Sequence, residues 1–319
     1  CPDGLRVLFL LTDCGSPREG RTPIFRFLLA DRLRILFLLT DCGSPREGRI
    51  PIFRFLLADR ASPGAARTPI WDRGSVPEPI ETFLGVIGAG SGGLSVAAGA
   101  SQMGACVALV EKAKMGGDCL NYGCVPSKAL LAAGHAAEAH RRSAGFGVSE
   151  ADPSIDAKGV FGHVHGVIAA IEPNDSVARY EGMGVKVIEE QARFTGPKEI
   201  DAGGTTITAR RFVVATGSSP FVPPIPGLKE AGYETNETIF YADGLPEHLI
   251  VIGGGPIGVE LAQAHRNLGS RVTVLEMFSI MPQDDPELVD VVRRGLAAEG
   301  VDIQEGAGVK SARKTSSGV

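Results

Sequence analysis

The sequence predicts an α/β fold that contains two copies of one strand–turn–helix unit. Three observations predict it. A Gly-x-Gly-x-x-Gly turn follows an apolar run of strand length at Gly88–Gly93, and a second such turn follows another apolar run at Gly253–Gly258. An acidic residue stands about 20 residues after the start of each turn. Turns of this kind present free backbone N–H groups to a pyrophosphate, so both units are predicted to be Rossmann-like and to bind dinucleotides.

The composition is that of a globular chain and gives no indication of nucleic acid or membrane binding. The chain has 319 residues, of which 44% are hydrophobic and 22% charged, with a net charge of −5. This length allows two or three domains, and a negative charge favours neither nucleic acid nor an anionic membrane. No apolar run reaches the roughly 18 residues that span a bilayer. Six cysteines are too sparse for a secreted disulfide framework, so we expect a cytoplasmic protein.

Residues 1–81 are predicted to form a poorly structured leader and linker. Leu5–Asp31 recurs almost unchanged as Leu33–Asp59, but two copies are too few for a solenoid. A proline-rich stretch follows the repeats and marks a linker. We expect the first dinucleotide-binding domain at 82–245 and part of a second at 246–319. The chain does not begin with Met, so we expect its start to be incomplete.

Each glycine of the first turn has a predicted role. Gly88 permits the tight turn, Gly90 lets the backbone approach a pyrophosphate, and Gly93 lets the helix lie close to the strand. Glu111 ends the next strand and is expected to accept hydrogen bonds from an adenosine ribose.

The second unit repeats this pattern with Gly253, Gly255 and Gly258. Glu276 ends its second strand, and a carboxylate at this place favours a ribose 2′-hydroxyl over a 2′-phosphate by charge. Between the two units we expect a helix over Ala129–Arg142 and one strand over Val185–Phe194. A hairpin is expected to turn at Gly203-Gly204.

The stretch Gly116–Lys128 reads GGDCLNYGCVPSK and holds Cys119 and Cys124. A disulfide across so short a loop constrains the unfolded chain by only roughly 2 kcal/mol. Redox exchange is therefore a better reason for this pair than stabilisation. A dithiol metal-binding module is the alternative, but two ligands are too few for a zinc site, and we predict no metal.

The longer run GGDCLNYGCVPSKALL resembles the active-site signature of the class I pyridine nucleotide–disulfide oxidoreductases, which include dihydrolipoamide dehydrogenase and mercuric reductase. Asp118 departs from the Thr that most members carry, which leaves the subfamily open. Ala215, Thr216 and Gly217 resemble the family's second FAD contact. The resemblance covers about residues 82–310, roughly the first half of a family member.

The resemblance implies cofactors and roles. FAD is expected in the first unit, with Gly117 and Lys128 among its contacts, and NAD in the second, with NADH preferred over NADPH because of Glu276. By resemblance Cys124 is the flavin-proximal sulfur, and Cys119 is the more exposed thiol that attacks substrate. Glu260 matches the family's glutamate that pairs with the active-site lysine, which predicts an ion pair with Lys128.

The activity implied is that of a FAD-dependent NAD(P)H:disulfide oxidoreductase similar to dihydrolipoamide dehydrogenase. Electrons would pass between nicotinamide, flavin and the Cys119–Cys124 disulfide, and then a small-molecule or protein-bound disulfide or dithiol. Two alternatives stay open: a mercuric reductase-like flavoenzyme, and a truncated, non-catalytic FAD-binding fragment. Family members are homodimers, and we expect their interface domain, with its acid–base histidine, to lie outside this chain.

Overall fold

The computed structural model describes residues 78–315. Most of the predicted leader and residues 316–319 lie outside this range, so the prediction of a poorly structured leader stays a prediction. No helix in the described range has both the length and the apolar character needed to cross a membrane. The helices and strands are β1 (Ile80–Ile87), α1 (Ser91–Gln102), β2 (Val107–Val110), α2 (Gly117–Asn121), α3 (Cys124–Arg141), α4 (Ala157–Ile171), α5 (Val177–Gly182), β3 (Lys186–Ile188), β4 (Ala192–Gly196), β5 (Glu199–Ala202), β6 (Thr205–Val214), α6 (Leu228–Ala231), β7 (His248–Ile252), α7 (Pro256–Asn267), β8 (Arg271–Glu276), α8 (Pro286–Ala298) and β9 (Asp302–Glu305).

The first unit is a sheet with strand order β3-β2-β1-β6-β5-β4. Strands β3, β2, β1 and β6 are parallel, with Leu84 opposite Val107 in the β1–β2 pair. Val86 and Leu109 are fully buried at the centre of this sheet, as expected where helices cover a parallel sheet. The predicted α/β fold is confirmed.

The antiparallel part of this sheet is partly as predicted. The β5–β6 hairpin turns at Gly203 and Gly204, with φ angles of 59° and 82° that favour glycine. The single strand expected over Val185–Phe194 is wrong, because this segment contains β3 and β4. Strand β3 pairs in parallel with β2, whereas β4 pairs antiparallel with β5, so the segment must break where it changes partner.

The second unit is a parallel sheet of order β7-β8-β9 within the described range. Val272 and Val274 of β8 are buried in a core shared with Val259 of α7 and Leu296 of α8. This strand–helix–strand arrangement repeats that of the first unit and brings the second glycine turn to the carboxyl end of β7.

Helices α3 and α7 pack against each other and join the two units. Leu130 of α3 is fully buried in a cluster with Leu261 and Ala264 of α7. A Cβ on Gly134 would lie 3.2 Å from the Ala264 carbonyl oxygen, so glycine lets the helices approach closely. Helix α3 begins earlier than predicted because Pro126 falls in its first turn, where a missing N–H has no consequence.

Candidate functional site

The first glycine turn leaves β1 through a backbone conformation that requires glycine. Gly88 has a φ of 103°, and a Cβ there would lie 2.2 Å from the Ala215 carbonyl oxygen. A Cβ on Gly93 would lie 1.8 Å from the Gly88 carbonyl oxygen. Gly90 caps the N-terminus of α1, whose first N–H groups face the turn. The geometry at Gly88 and Gly93 agrees with the roles expected from the sequence.

The cysteine stretch packs directly against this turn. The Gly116 N–H donates a hydrogen bond to the Ala89 carbonyl at 2.9 Å. A Cβ on Gly117 would lie 2.6 Å from the Gly90 Cα atom. The two glycines therefore let the backbones of the turn and of α2 meet, which fixes Cys119 relative to the first unit.

A cleft of about 340 Å³ opens at the carboxyl ends of β1, β2 and β6. Most of the residues predicted to bind the first dinucleotide line it: Gly88, Gly90, Glu111, Gly117, Ala215, Thr216 and Gly217. Gly93 and Lys128 do not line it. The carboxyl edge of a parallel sheet is where this fold binds ligands, and the N-terminus of α1, capped by Gly90, lies at this edge.

An acidic residue holds the glycine turn in the same way in both units. The Glu111 carboxylate accepts hydrogen bonds from the N–H of Ala89 at 2.6 Å and of Ala113 at 2.8 Å. The Glu276 carboxylate accepts from the N–H of Gly254 at 2.7 Å and of Phe278 at 3.0 Å. In both units the acid predicted to meet a ribose thus also fixes the turn that would meet the pyrophosphate.

Sequence reasoning missed the basic and aromatic residues of the cleft. Lys112, Lys114 and Tyr122 line it, and the Lys114 ammonium lies 5.3 Å from the centre of the Tyr122 ring. The hydrogen bond to Tyr122 is the main reason why the pKa of Lys114 is raised. Lys112 and Lys114 follow β2 closely. The rule that ligands bind at the carboxyl ends of parallel strands could therefore have predicted that they line the cleft.

The two predicted redox cysteines lie together as free thiols. Cys119 is in α2, and Cys124 is the first residue of the 18-residue helix α3, where the helix dipole favours a thiolate. Burial, followed by the hydrogen bond with Cys124, raises the pKa of Cys119 to about 11. Within residues 78–315 no group of three or more His, Cys, Asp or Glu is placed to hold a metal ion.

The exposure of the two thiols is the reverse of the order expected from the resemblance. Cys119 is half-buried and Cys124 is exposed. The reason is local, because Cys119 lies inside α2 beside Leu94 and Ala98 of α1. Cys124 is the first residue of α3, and its thiol is exposed there.

The predicted ion pair between the units is present. The Lys128 Nζ atom lies 2.5 Å from Oε1 of Glu260. Lys128 follows Cys124 by one helical turn on α3, and Glu260 lies on α7 just after the second glycine turn. This pair therefore places the cysteine helix beside the second dinucleotide-binding unit.

Comparison with known proteins agrees with this geometry. Residues 84–319 match the family described as pyridine nucleotide-disulphide oxidoreductase. The chain is 39% identical over 227 residues to the dihydrolipoyl dehydrogenase of Thermus scotoductus, which covers 69% of this chain and 48% of that protein. It is 35% identical over 246 residues to the mercuric reductase of Serratia marcescens, which covers 73% of this chain and 52% of that protein.

A solved structure shows the same likeness. The Cu(II) complex of the HOCl-induced flavoprotein disulfide reductase RclA from Escherichia coli aligns with a TM-score of 0.60 at 30% identity. The alignment covers 72% of this chain and 50% of that one. The chain thus spans about half the length of the relatives it matches. It belongs to the pyridine nucleotide-disulphide oxidoreductase family.

Proposed function

We propose that this chain carries the FAD-binding part, and a portion of the nicotinamide-binding part, of a disulfide oxidoreductase similar to dihydrolipoamide dehydrogenase. Family membership supports the use of FAD and a pyridine nucleotide. One observation carries the proposal. Gly116 and Gly117 hold the cysteine stretch against the first glycine turn, and Lys128, on the same helix as Cys124, pairs with Glu260 of the second unit.

The residues of the cleft fit an anionic dinucleotide. The N–H groups at the start of α1 would bind the pyrophosphate, and Lys114 adds positive charge at the same cleft. Glu111 would accept from a ribose hydroxyl, while Thr216 and Gly217 would contact the part of the cofactor nearer β6. When bound, FAD supplies two-electron transfer between a nicotinamide and the dithiol.

The cysteines would carry out thiol–disulfide exchange. The Cys119 thiolate attacks one sulfur of a disulfide substrate, and the Cys124 thiolate then attacks Cys119 Sγ. The substrate leaves as two thiols, and a Cys119–Cys124 disulfide remains. Two electrons have moved from the protein dithiol to the substrate, and the reverse sequence oxidises a dithiol. The substrate, the homodimer and the cytoplasmic location remain proposals.

Glu276 supports NADH as the preferred nicotinamide cofactor. Its carboxylate is fixed at the end of β8 by two backbone N–H groups, where a 2′-phosphate would meet like charge. Arg271 lies at the opposite end of β8 and its guanidinium contacts Nδ1 of His248 at 2.8 Å, so it is not placed to bind such a phosphate.

A second candidate is reduction of mercuric ion. The similarity to mercuric reductases, including that of Serratia marcescens, favours it. The thiol pair would then bind Hg(II) as substrate, since soft thiolates bind soft metal ions.

The test uses the purified chain loaded with FAD and handled without oxygen. We expect NADH, more efficiently than NADPH, to convert an oxidised Cys119–Cys124 pair into two thiols, counted by alkylation and peptide mass spectrometry. Oxidised lipoamide and Hg(II) are then offered in separate reactions to identify the acceptor. The Cys119→Ser and Cys124→Ser variants should turn over neither. FAD binding without any gain of thiols would support the non-catalytic fragment instead.

A further inference from the structure

A second groove, also of about 340 Å³, opens at Cys119. We call it the Cys119 groove, and its walls include Leu94, Ser95, Ala98, Cys119, Asp175 and Tyr180. It is distinct from the dinucleotide cleft, whose lining contains neither cysteine. The groove therefore gives a small molecule access to the half-buried thiol from the side of α1.

Asp175 places an unpaired carboxylate in this groove. The side chain is half-buried and makes no hydrogen bond or ion pair with any residue from 78 to 315. The charge of Asp175 affects the neighbouring Tyr180 in the groove wall. The pKa of Tyr180 is raised first by burial and then by this charge. The nearby Arg179 opposes this effect, but its guanidinium binds the Asn174 carbonyl oxygen and does not line the groove.

A second carboxylate lies next to the thiol in sequence. Asp118 precedes Cys119, and its Oδ1 accepts a hydrogen bond from the Asn236 amide at 3.1 Å. After burial and the interaction with Cys124, the Asp118 charge also contributes to the raised pKa of Cys119. None of the described residues that line the groove is Lys, Arg or His. The described lining of the Cys119 groove therefore carries the Asp175 carboxylate and no basic side chain, whereas Asp118 lines the dinucleotide cleft.

We propose that the Cys119 groove is the docking site for small disulfides that carry no negative charge. The inference rests on the proposed function, because it takes Cys119 as the attacking thiol. The apolar Leu94 and Ala98 would contact the substrate's aliphatic part, while the Asp175 carboxylate repels a carboxylate on it. A unit charge on the substrate within several ångströms of a partly exposed carboxylate changes the rate of their encounter by about threefold to tenfold at low salt.

The test measures the first exchange step alone. In the Cys124→Ser variant the mixed disulfide at Cys119 cannot be resolved by Cys124, so peptide mass spectrometry can follow its formation. Attack forms a Cys119–S–S–R bond, breaks the R–S–S–R bond, and releases RS⁻, which takes up a proton. Three probes are compared at low salt: cystamine as a dication, bis(2-hydroxyethyl) disulfide as neutral, and 3,3′-dithiodipropionate as a dianion. Each rate is divided by the rate with free cysteine.

We expect the corrected rates to fall from cystamine to the neutral probe to the dianion, with at least tenfold between the extremes. Asp175→Asn, added to the Cys124→Ser variant, should reduce this ratio of rates about threefold. Asp284→Asn is the matched control, because this exposed aspartate lies in the loop before α8. Equal corrected rates for the three probes, or an effect of Asp175→Asn no larger than that of Asp284→Asn, would overturn the inference. Loss of FAD binding alone would count against the proposed function but leave these ratios unchanged.

Discussion

The Lys128 ammonium and the Glu260 carboxylate meet across the two dinucleotide-binding units, with Nζ and Oε1 2.5 Å apart. The two side chains come from residues 132 positions apart in the chain. Their helices, α3 and α7, also share a buried apolar contact through Leu130 and Leu261. The ion pair and the apolar contact differ in what they contribute to stability, and the difference can be measured.

We predict that the apolar contact, and not the ion pair, holds α3 on α7. The Lys128 and Glu260 side chains are 61% and 36% exposed, so Glu260→Gln should lower the free energy of unfolding by less than about 1 kcal/mol. Leu130→Ala removes a fully buried side chain and should lower it by about 2–5 kcal/mol. Urea unfolding measures both, with the exposed Glu150→Gln as control. A larger loss for Glu260→Gln than for Leu130→Ala would contradict this ranking.

Gly93→Ala should destroy the first dinucleotide site. Its Cβ would lie 1.8 Å from the Gly88 carbonyl oxygen, so the turn and the start of α1 must separate. Fluorescence titration should show FAD affinity reduced at least about tenfold, the equivalent of 1.4 kcal/mol. Gly99→Ala on the same helix meets nothing within 4 Å and should leave affinity unchanged while stabilising the helix by about 0.5–1 kcal/mol. Equal FAD affinity in both variants would count against the site.

The reduced, cofactor-free chain should show slow alkylation of Cys119 at neutral pH. Burial, then the hydrogen bond with Cys124, raises the pKa of Cys119 to about 11. Because only the thiolate reacts, the rate at Cys119 should climb about tenfold per pH unit until it levels off near that pKa. Iodoacetamide labelling followed at the Cys119 peptide measures this, with the exposed Cys106 as internal reference. A rate at Cys119 that levels off below about pH 9 would disagree with the buried geometry.

Acid should destabilise the fold through His265. This side chain is buried in α7, its Nδ1 contacts the Leu261 carbonyl at 2.8 Å, and its Nε2 has no partner among residues 78–315. Burial lowers the pKa of His265, so below about pH 6.5 the unfolded chain binds a proton that the folded chain does not. Stability should then fall by up to about 1.4 kcal/mol per pH unit until the folded pKa is reached.

The measurement is urea unfolding between about pH 7.5 and about pH 5.5, a range in which histidine titrates. His265→Leu should flatten this dependence, whereas substitution of the exposed His163 by Leu should leave it intact. The idea fails if the wild-type and His265→Leu chains lose stability equally over this range.

Features that depend on short stretches of sequence could be predicted from the sequence alone. The two glycine turns, the acids Glu111 and Glu276, and the Gly203-Gly204 hairpin are all encoded within about 25 residues. The Lys128–Glu260 pair joins distant residues, and only the resemblance to a known family made it predictable. The early start of α3 at Cys124 is also a local feature, because the first turn of a helix tolerates Pro126.

What the sequence could not predict depends on packing between distant segments. The break between β3 and β4 follows from a change of partner strand, which alternation within Val185–Phe194 does not encode. The burial of Cys119 depends on how α1 lies beside α2. The place of Asp175, which has no side-chain partner among residues 78–315, in the wall of the Cys119 groove likewise depends on how distant segments pack.

We propose, as the family resemblance implies, that a flavin bound in the first unit lies against Cys124 rather than Cys119. It is tested most directly by loading the chain with FAD, reducing the disulfide, and recording the long-wavelength absorbance that a thiolate in contact with flavin produces. The account predicts that Cys119→Ser keeps this absorbance and that Cys124→Ser abolishes it. Identical spectra for the two variants, or a chain that binds no FAD, would contradict it.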